Sequence, residues 1–312
     1  MVDSKQQWKA WLYLSPAIVL LLVFTVWPII NTVRLAFLEG YNALEVLWGA
    51  TYDIGIGNFI EVLTYKDFLT CLKNTVLLTV LTVPLSTILA LLIAVALNSI
   101  KPLQKFLQTI FFLPYVTNSI AIGMVFAAMF NIIGLRPDGS SADTWGIINN
   151  IIVLFGGEPI NWINAQSSYW ANIAVMVVYI VWNALPFKIL ILLGGLQGIN
   201  KQYYEAARVD GTPRTRVFCR ITVPLLSPML AYVIITGFIG GFKEYSSIVG
   251  IFGEKMGPVG NPYSLNTMVG YIYEKLPDMD YGVASAAALI LFFIIFLVTT
   301  FNNQVIKKHV HY

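Results

Sequence analysis

Residues 169–193 read YWANIAVMVVYIVWNALPFKILILL, a stretch of 25 residues in which Lys188 is the only charged side chain. An α-helix needs about 20 mostly apolar residues to cross the hydrocarbon core of a bilayer. This stretch is therefore long enough to span a membrane as one helix. Because only helices and closed barrels satisfy their backbone hydrogen bonds inside lipid, it predicts a helical membrane protein.

Five further apolar stretches extend this prediction to an all-α integral membrane protein with six transmembrane helices. Their approximate limits are 12–30, 75–97, 110–133, 225–242 and 281–301. A shorter apolar stretch, 149–155, is interpreted as a re-entrant or interfacial segment because it cannot reach across a bilayer. The first span exceeds the apolar region of a signal peptide and no small-residue cleavage site follows it, so we expect it to remain uncleaved.

The composition of the whole chain supports the same class of protein. Of 312 residues, 57% are hydrophobic and 11% are charged, and the mean hydropathy is +0.73. An average soluble domain carries roughly 25% charged residues, so this chain lacks the polar side chains that would cover a water-exposed surface. Its two cysteines, Cys71 and Cys219, indicate neither a disulfide framework nor a metal site.

Basic residues predict how the chain is oriented in the membrane. On the side of both termini lie Lys5, Lys9, Lys101, Lys105, Lys201, Arg208, Arg214, Arg216, Arg220, Lys307 and Lys308. The opposite loops carry Lys66, Arg136, Lys255 and Lys275, together with most of the acidic residues. Since Lys and Arg are enriched in cytoplasmic loops, both termini of this multi-pass cell-membrane (inner-membrane) protein are predicted to be cytoplasmic.

The cytoplasmic loop 204–224 is longer and more helix-prone than a simple connection requires. Good helix formers open it, and Asp210-Gly211 predicts a stop, with Gly211 suited to a positive φ. Thr212 is expected to cap a second helix that has Pro213 at its first position, and Pro224 is expected to end that helix.

Apolar residues in this loop are bordered by arginines on the water side of the membrane: Ala206, Ala207, Val217 and Phe218. Apolar surface ringed by polar groups marks a site for a protein partner. An amphipathic segment lying on anionic lipid would show the same pattern. The residues alone therefore leave both interpretations open.

The run Glu205-Ala206-Ala207, followed by Asp210-Gly211, Phe218, Ile221 and Pro224, resembles the EAA loop of ABC importer permeases. The resemblance implies a type I ABC importer permease fold. It also implies that a pair of coupling helices docks into a cleft on a separate ATPase through Glu205, Ala206, Ala207, Asp210, Gly211 and Phe218. The chain departs from the family pattern at Thr212, where alanine is usual, and at Asn200, where proline commonly precedes the motif.

Shorter pieces along almost the whole chain resemble the carbohydrate-uptake branch, which includes the maltose and glycerol-phosphate importers. They are 15–17 (SPA), 27–28 (WP), 72–75 (LKNT), 111–114 (FFLP), 182–187 (WNALPF), 257–258 (GP), 271–273 (YIY) and 281–286 (YGVASA). The resemblance implies one transmembrane permease domain over 1–312, of the first-permease type. Within it, a first helix at about 12–30 precedes a five-helix core at about 70–303.

The same resemblance implies a set of partners. These are a second homologous permease, two copies of an ABC ATPase, an extracytoplasmic solute-binding protein, a carbohydrate substrate and membrane lipid, with no nucleic acid. The sequence has no GxxxxGK[ST] phosphate loop, so ATP and Mg²⁺ are expected on the partner ATPase. We expect no cofactor, no metal and no catalytic residue in this chain.

Ionisable residues in or beside the spans are candidates for a solute path, because a charge inside a bilayer is costly. Lys188 lies in the fourth span, and Lys243 and Glu244 follow the fifth. Lys188 could instead extend its ammonium toward the cytoplasm. Lys243 and Glu244 could instead mark the membrane interface.

Resemblance to the maltose-type permease implies sugar contacts at Ile180, Ala184, Phe187, Gly237, Gly241 and Glu244. We add Asn183 and Tyr245 to this substrate-binding set. In this interpretation Glu244 accepts hydrogen bonds from sugar hydroxyls, Phe187 stacks on the sugar, and the small residues leave room. Small residues also serve plain helix packing, which stays an alternative for them.

Two other functions remain open from the sequence. The first is import of a non-sugar solute such as glycerol 3-phosphate by the same family, which an additional basic cluster in the cavity would favour. The second is an ion-coupled secondary transporter, which would need inverted repeats and helices broken in mid-span. The second alternative gives the EAA-like loop no role.

Overall fold

The computed structural model describes residues 7–100, 104–133 and 144–307. The helices within these ranges are α1 (Gln7–Leu21), α2 (Trp27–Ala36), α3 (Ala43–Val46), α4 (Gly57–Thr64), α5 (Lys66–Ser99), α6 (Gln104–Phe112), α7 (Ser119–Phe130), α8 (Ile147–Leu154), α9 (Tyr169–Gly198), α10 (Lys201–Val209), α11 (Arg214–Val217), α12 (Val223–Leu225), α13 (Ser227–Phe242), α14 (Ser246–Phe252), α15 (Met268–Lys275) and α16 (Tyr281–Lys307). Four of the basic residues used for the orientation lie outside the described residues, namely Lys5, Lys101, Arg136 and Lys308.

The six predicted spans are present, in two different forms. Four helices are continuous and long enough to cross a bilayer: α5, α9, α16, and α1 joined to α2 through the π-helical turn Leu22–Val26. The other two spans are bent pairs. In one, α6 is followed by α7 at an angle of 99°, and in the other, α11 and α12 lead into α13 at 67°.

The prediction of one continuous helix over 110–133 is wrong, because the third span breaks in its middle. A 3₁₀ turn, Leu113–Val116, contains Pro114 and ends α6. Asn118 then starts α7 by accepting hydrogen bonds from the backbone N–H groups of Ile120 at 2.8 Å and Ala121 at 3.3 Å. A side-chain cap of this kind satisfies donors that a new helix leaves free.

Two further details refine the all-α prediction. A two-residue antiparallel ladder pairs β1 (Ile132–Ile133) with β2 (Thr144–Trp145), which the sequence did not predict. The short apolar stretch at 149–155 forms α8, an eight-residue helix too short to span, as expected.

The chain divides into two compact units, and the smaller one comprises 1–68 and 271–293. Its buried Asn58 organises the turn after α2, since its Nδ2 donates to the carbonyls of Ala36 at 3.1 Å and Leu38 at 2.7 Å. The side chain of Asn58 also accepts from the N–H of Gly40 at 3.0 Å. None of the most apolar window of the first span is buried within the chain.

The larger unit comprises 69–270 and 294–312. One buried cluster surrounds Tyr179 and Met176, and another surrounds Leu192 and Leu193 farther along α9. Helices α7 and α14 pack at van der Waals distance, because a Cβ on Gly123 would lie 2.7 Å from the Cα of Gly250. Small residues that let two backbones approach closely are typical of helix packing in membranes.

Candidate functional site

A cavity of about 280 Å³ lies among α5, α9 and α13 of the larger unit. Its lining combines hydroxyl, aromatic, charged and small side chains: Thr82, Val83, Ser86, Tyr115, Ile180, Asn183, Ala184, Phe187, Lys188, Thr236, Gly237, Gly240, Gly241 and Glu244. Two of these residues carry opposite charges, Lys188 and Glu244. The cavity therefore offers both hydrogen-bonding groups and flat apolar surface to a solute.

One wall of the cavity belongs to a stripe of hydroxyls on α5. Thr75, Thr79, Thr82 and Ser86 recur every three or four residues, so they share one face of the helix. Each donates to the carbonyl four residues earlier, at 2.6–2.8 Å. This pattern satisfies a hydroxyl within its own helix and leaves its oxygen able to accept another hydrogen bond.

Lys188 uses that free acceptor capacity. The residue is 4% exposed, and its ammonium donates to Ser86 Oγ at 2.7 Å, Thr87 Oγ1 at 2.9 Å and the Val83 carbonyl at 3.2 Å. An ammonium has three donors, and here each has an acceptor on α5. Lys188 therefore ties α9 to α5, and its ammonium does not extend out of the packed helices.

Aromatic rings form a second wall. The rings of Tyr115 and Phe187 are stacked, with centroids 5.8 Å apart and planes 18° apart. Phe112 continues the row on one side at 5.4 Å from Tyr115, and Tyr232 on the other at 6.4 Å from Phe187. Tyr115 remains 51% exposed, so part of the row is accessible.

Glu244 lies where α13 ends and α14 begins. Its Oε1 accepts from the backbone N–H groups of Tyr245 and Ser247, each at 3.1 Å. The carboxylate thus satisfies donors at the start of α14 while it borders the cavity. Thr267 also donates to the Glu244 carbonyl at 2.8 Å, which fixes the backbone at this break.

The cavity brings together most of the predicted substrate residues. Asn183, Ala184, Phe187, Gly241 and Glu244 all line it, as do Ile180 and Gly237. Tyr245 does not line it and packs instead against the buried cluster around Tyr179. Lys243 is exposed and is also absent from the lining.

Gly237 and Gly241 of α13 serve both roles that the sequence left open, which are helix packing and room for a solute. A Cβ on Gly241 would lie 2.8 Å from Thr79 Oγ1, and one on Gly237 would lie 3.2 Å from Lys188 Nζ. Both residues therefore let α13 pack closely while they also border the cavity.

Sequence reasoning missed Thr82, Ser86, Thr236 and Tyr115 as cavity residues. A signal for the first two was present, since hydroxyl residues recur at helical spacing in the second span. Tyr115 reaches the cavity because the third span breaks beside it, and that break was not predicted.

The loop between α9 and α13 contains the predicted helix–turn–helix. Gly211 has φ +66°, which confirms the positive φ expected for it. The N–H of Gly211 donates to the Arg208 carbonyl at 3.2 Å and the N–H of Thr212 to the Ala207 carbonyl at 2.9 Å. These two bonds form a Schellman motif that closes the end of α10.

Two expectations for this loop are wrong. Pro213, and not Thr212, occupies the N-cap position of the second helix, because its extended backbone (ψ 147°) precedes the first helical residue, Arg214. Pro224 does not end that helix, since a π-helical turn, Phe218–Thr222, leads into α12 and the chain bends only at Leu226.

The exposed residues of the loop are only partly those predicted to form its apolar face. Glu205, Ala206, Asp210 and Gly211 are exposed, but Ala207 is buried and Phe218 is half-buried. Val209 is 88% exposed and was not predicted to be part of this surface. Tyr204 and Thr222 tie the two halves of the loop together through their hydroxyls, 3.3 Å apart.

Helices of membrane-spanning length around a cavity of mixed polar and apolar lining, with an exposed helical loop between two of them, are typical of a transport permease. A family model described as "binding-protein-dependent transport system inner membrane component" matches residues 76–311, and the chain belongs to this family. The ion-coupled secondary transporter considered above is thereby replaced by a permease of the binding-protein-dependent class.

Relatives in this family are similar over nearly their whole length. The chain is 30% identical to the arabinooligosaccharides transport system permease protein AraP of Halalkalibacterium halodurans, over 95% of this chain and 87% of that protein. It is 27% identical to the lactose transport system permease protein LacF of Rhizobium radiobacter, over 91% and 89% of the two chains. A chain of a bacterial ABC transporter involved in the import of alginate has the same fold, with a TM-score of 0.77 and 21% identity over 98% of this chain and 97% of that one.

We predict that Lys188→Met keeps the stability of the protein near wild type and that Lys188→Ala lowers it. Methionine fills the same space, and Ser86 and Thr87 keep their bonds to their own helix. Alanine leaves a void beside Gly237, and emptying a buried site of this size costs about 2–5 kcal/mol. The melting temperature of the detergent-purified protein should be near wild type for Met and clearly lower for Ala. Equal losses in both variants would mean that the three hydrogen bonds, and not the volume, hold α5 and α9 together.

Proposed function

We propose that this chain forms part of the translocation path of an ATP-binding-cassette importer for a carbohydrate, a sugar or oligosaccharide. The observation that carries the proposal is the pairing, in one cavity, of the stacked Tyr115 and Phe187 rings with the α5 hydroxyls and Glu244. Sugars present apolar C–H faces and a rim of hydroxyls, and a site of this mixed character complements both. The relatives whose names specify lactose and arabino-oligosaccharides support this class of solute.

An importer for a phosphorylated solute such as glycerol 3-phosphate is less well supported. Among the described residues that line the cavity, Lys188 is the one cation. Its three protons are already donated to α5, so none is left to donate to a phosphate. A neutral polyhydroxylated solute does not need a free cation in the cavity.

The exposed loop supports coupling to a separate ATPase. Glu205, Ala206, Val209 and Asp210 lie on its outer surface, and the Schellman motif fixes the turn that follows them. Helix α10 follows α9 after two residues, so a force on the loop acts directly on a cavity helix. ATP and Mg²⁺ would be held by that ATPase, in two copies, and solute would arrive on an extracytoplasmic binding protein.

A second homologous permease would complete the path. The cavity is open and is bordered here by helices of one chain, and the first span buries none of its apolar window within this chain. Lipid and a second permease subunit are the environments that apolar helix surface of this kind requires.

The proposed orientation places both termini and the exposed loop in the cytoplasm, and Cys219 tests it. Cys219 is exposed on this loop and Cys71 is buried. An impermeant thiol reagent should label the protein in inside-out vesicles and leave it unlabelled in intact cells. Val259→Cys in a Cys219→Ser background is the matched control for the opposite side, since Val259 is 79% exposed. The opposite labelling pattern for both residues would reverse the orientation.

Uptake measurements test the solute class. Cells that express the complete transporter should accumulate at least one of radiolabelled lactose, arabinotriose and maltose, and glycerol 3-phosphate should not compete. Glu244→Gln should reduce this uptake, because the amide oxygen still accepts from Tyr245 and Ser247 while the charge that binds hydroxyls strongly is lost. Uptake of glycerol 3-phosphate alone would refute the carbohydrate proposal, and normal uptake by Glu244→Gln would remove Glu244 from the site.

Coupling is tested at Gly211. Gly211→Val should abolish transport and weaken co-purification of the ATPase, because a β-branched residue at positive φ costs at least about 1–2 kcal/mol and opens the turn. Gly211→Asn is the matched control, since asparagine tolerates this conformation. No atom of the described residues lies within 4 Å of a Cβ at this position, so backbone conformation distinguishes the two variants. Full transport by Gly211→Val would show that the turn does not couple the subunits.

A further inference from the structure

A second, wider cavity lies between α9 and the start of α13, nearer the exposed loop. Its volume is about 690 Å³, and its lining includes Leu190, Gly194 and Gly198 of α9 and Leu225 and Met229 of the α13 end. Asn200 and Tyr203 of the loop also border it. In the part of the chain that the structure describes, the two cavities share no lining residue, although α9 and α13 supply most of both linings.

The two cavities follow one line along α9. Residues 180, 184 and 187 border the first cavity, and 191, 194 and 198 border the second. Steps of three and four residues keep all six positions on one face of the helix. The two cavities therefore follow one another along this face of α9.

On α13 the corresponding face has a single gap. Met229 of α13 borders the second cavity, and Thr236 and Gly240 of α13 border the first. Between Met229 and Thr236, either Tyr232 or Val233 continues the helical spacing. Tyr232 is 47% exposed, whereas Val233 beside it is fully buried, so the tyrosine is the residue directed away from the packed core.

Tyr232 meets Phe187 across this gap. The ring centroids are 6.4 Å apart with planes at 47°, and Tyr115 stacks on Phe187 at 5.8 Å. Phe187 is also the first-cavity residue next to Leu190, where the second cavity begins on α9. The two rings thus lie on opposite helices at the level where one cavity ends and the other begins.

We propose that Tyr232 and Phe187 form the constriction between the two cavities, and that Tyr232 is a specificity-determining residue of the path. A solute with a flat C–H face, such as a pyranose ring, passes by stacking on these rings, while a solute without such a face gains nothing from them. The solute class in this inference rests on the proposed carbohydrate transport. The location of Tyr232 on the path does not.

Transport kinetics test the role of the ring. In the complete transporter, Tyr232→Phe keeps the ring and should import the sugar that the wild type imports at a rate within twofold of wild type. Tyr232→Leu has a side chain that is apolar but not flat, and it should lower the maximal uptake rate about tenfold, the rate equivalent of a lost stacking interaction. Wild-type rates in Tyr232→Leu, or an equal loss in Tyr232→Phe, would overturn the proposed role of the ring.

Accessibility tests the location independently of any sugar. In the complete transporter with Cys219→Ser, Tyr232→Cys should react with a small, negatively charged methanethiosulfonate in inside-out vesicles, because an aqueous path reaches it. Reaction only with a lipophilic maleimide would place the residue against lipid, and no reaction with either would place it in a packed subunit interface. Both of these results overturn the proposal. If the wild type imports none of the sugars while the charged reagent still reacts, the carbohydrate proposal fails and the constriction stands.

Discussion

The structure depends on how backbone groups are satisfied where a helix breaks within an apolar region. Water is scarce there, so freed N–H groups need another acceptor nearby, and a side chain is one way to supply it. Asn118 supplies it at the start of α7, and Glu244 supplies it at the start of α14. A polar side chain therefore stands at each of these two breaks. Glu244, at the break between α13 and α14, also lines the cavity.

Breaks also explain how the aromatic wall arises. The 99° bend between α6 and α7 places Tyr115 against Phe187, a residue on a different span. In a straight third helix, Tyr115 would be one more residue of an apolar span and would not reach the cavity. Tyr115 thus lies in the cavity because the span bends, and not because of its position in a helical repeat.

Sequence reasoning therefore succeeded where run length and local chemistry decide the outcome. The six spans follow from apolar length, and Gly211 follows from the need for a positive φ at a helix end. It failed where tertiary packing decides. Three features depend on which helices meet: the burial of Ala207, the contacts of Lys188 with Ser86 and Thr87, and the break beside Tyr115. The pattern of residues along one sequence does not contain that information. Resemblance to the family identified cavity residues on α9 and α13, but it did not identify the α5 hydroxyls.

The hydroxyl stripe of α5 has a consequence for how such a protein changes over evolutionary time. Each of these hydroxyls already has a carbonyl partner one turn earlier, so none depends on a solute for satisfaction. Loss of one solute contact leaves no orphaned donor, and a new solute contact requires only that the same oxygen accept a further hydrogen bond. With a wall built in this way, substitutions on the facing helices can change the transported solute. The hydrogen bonds within α5 are kept in each intermediate sequence.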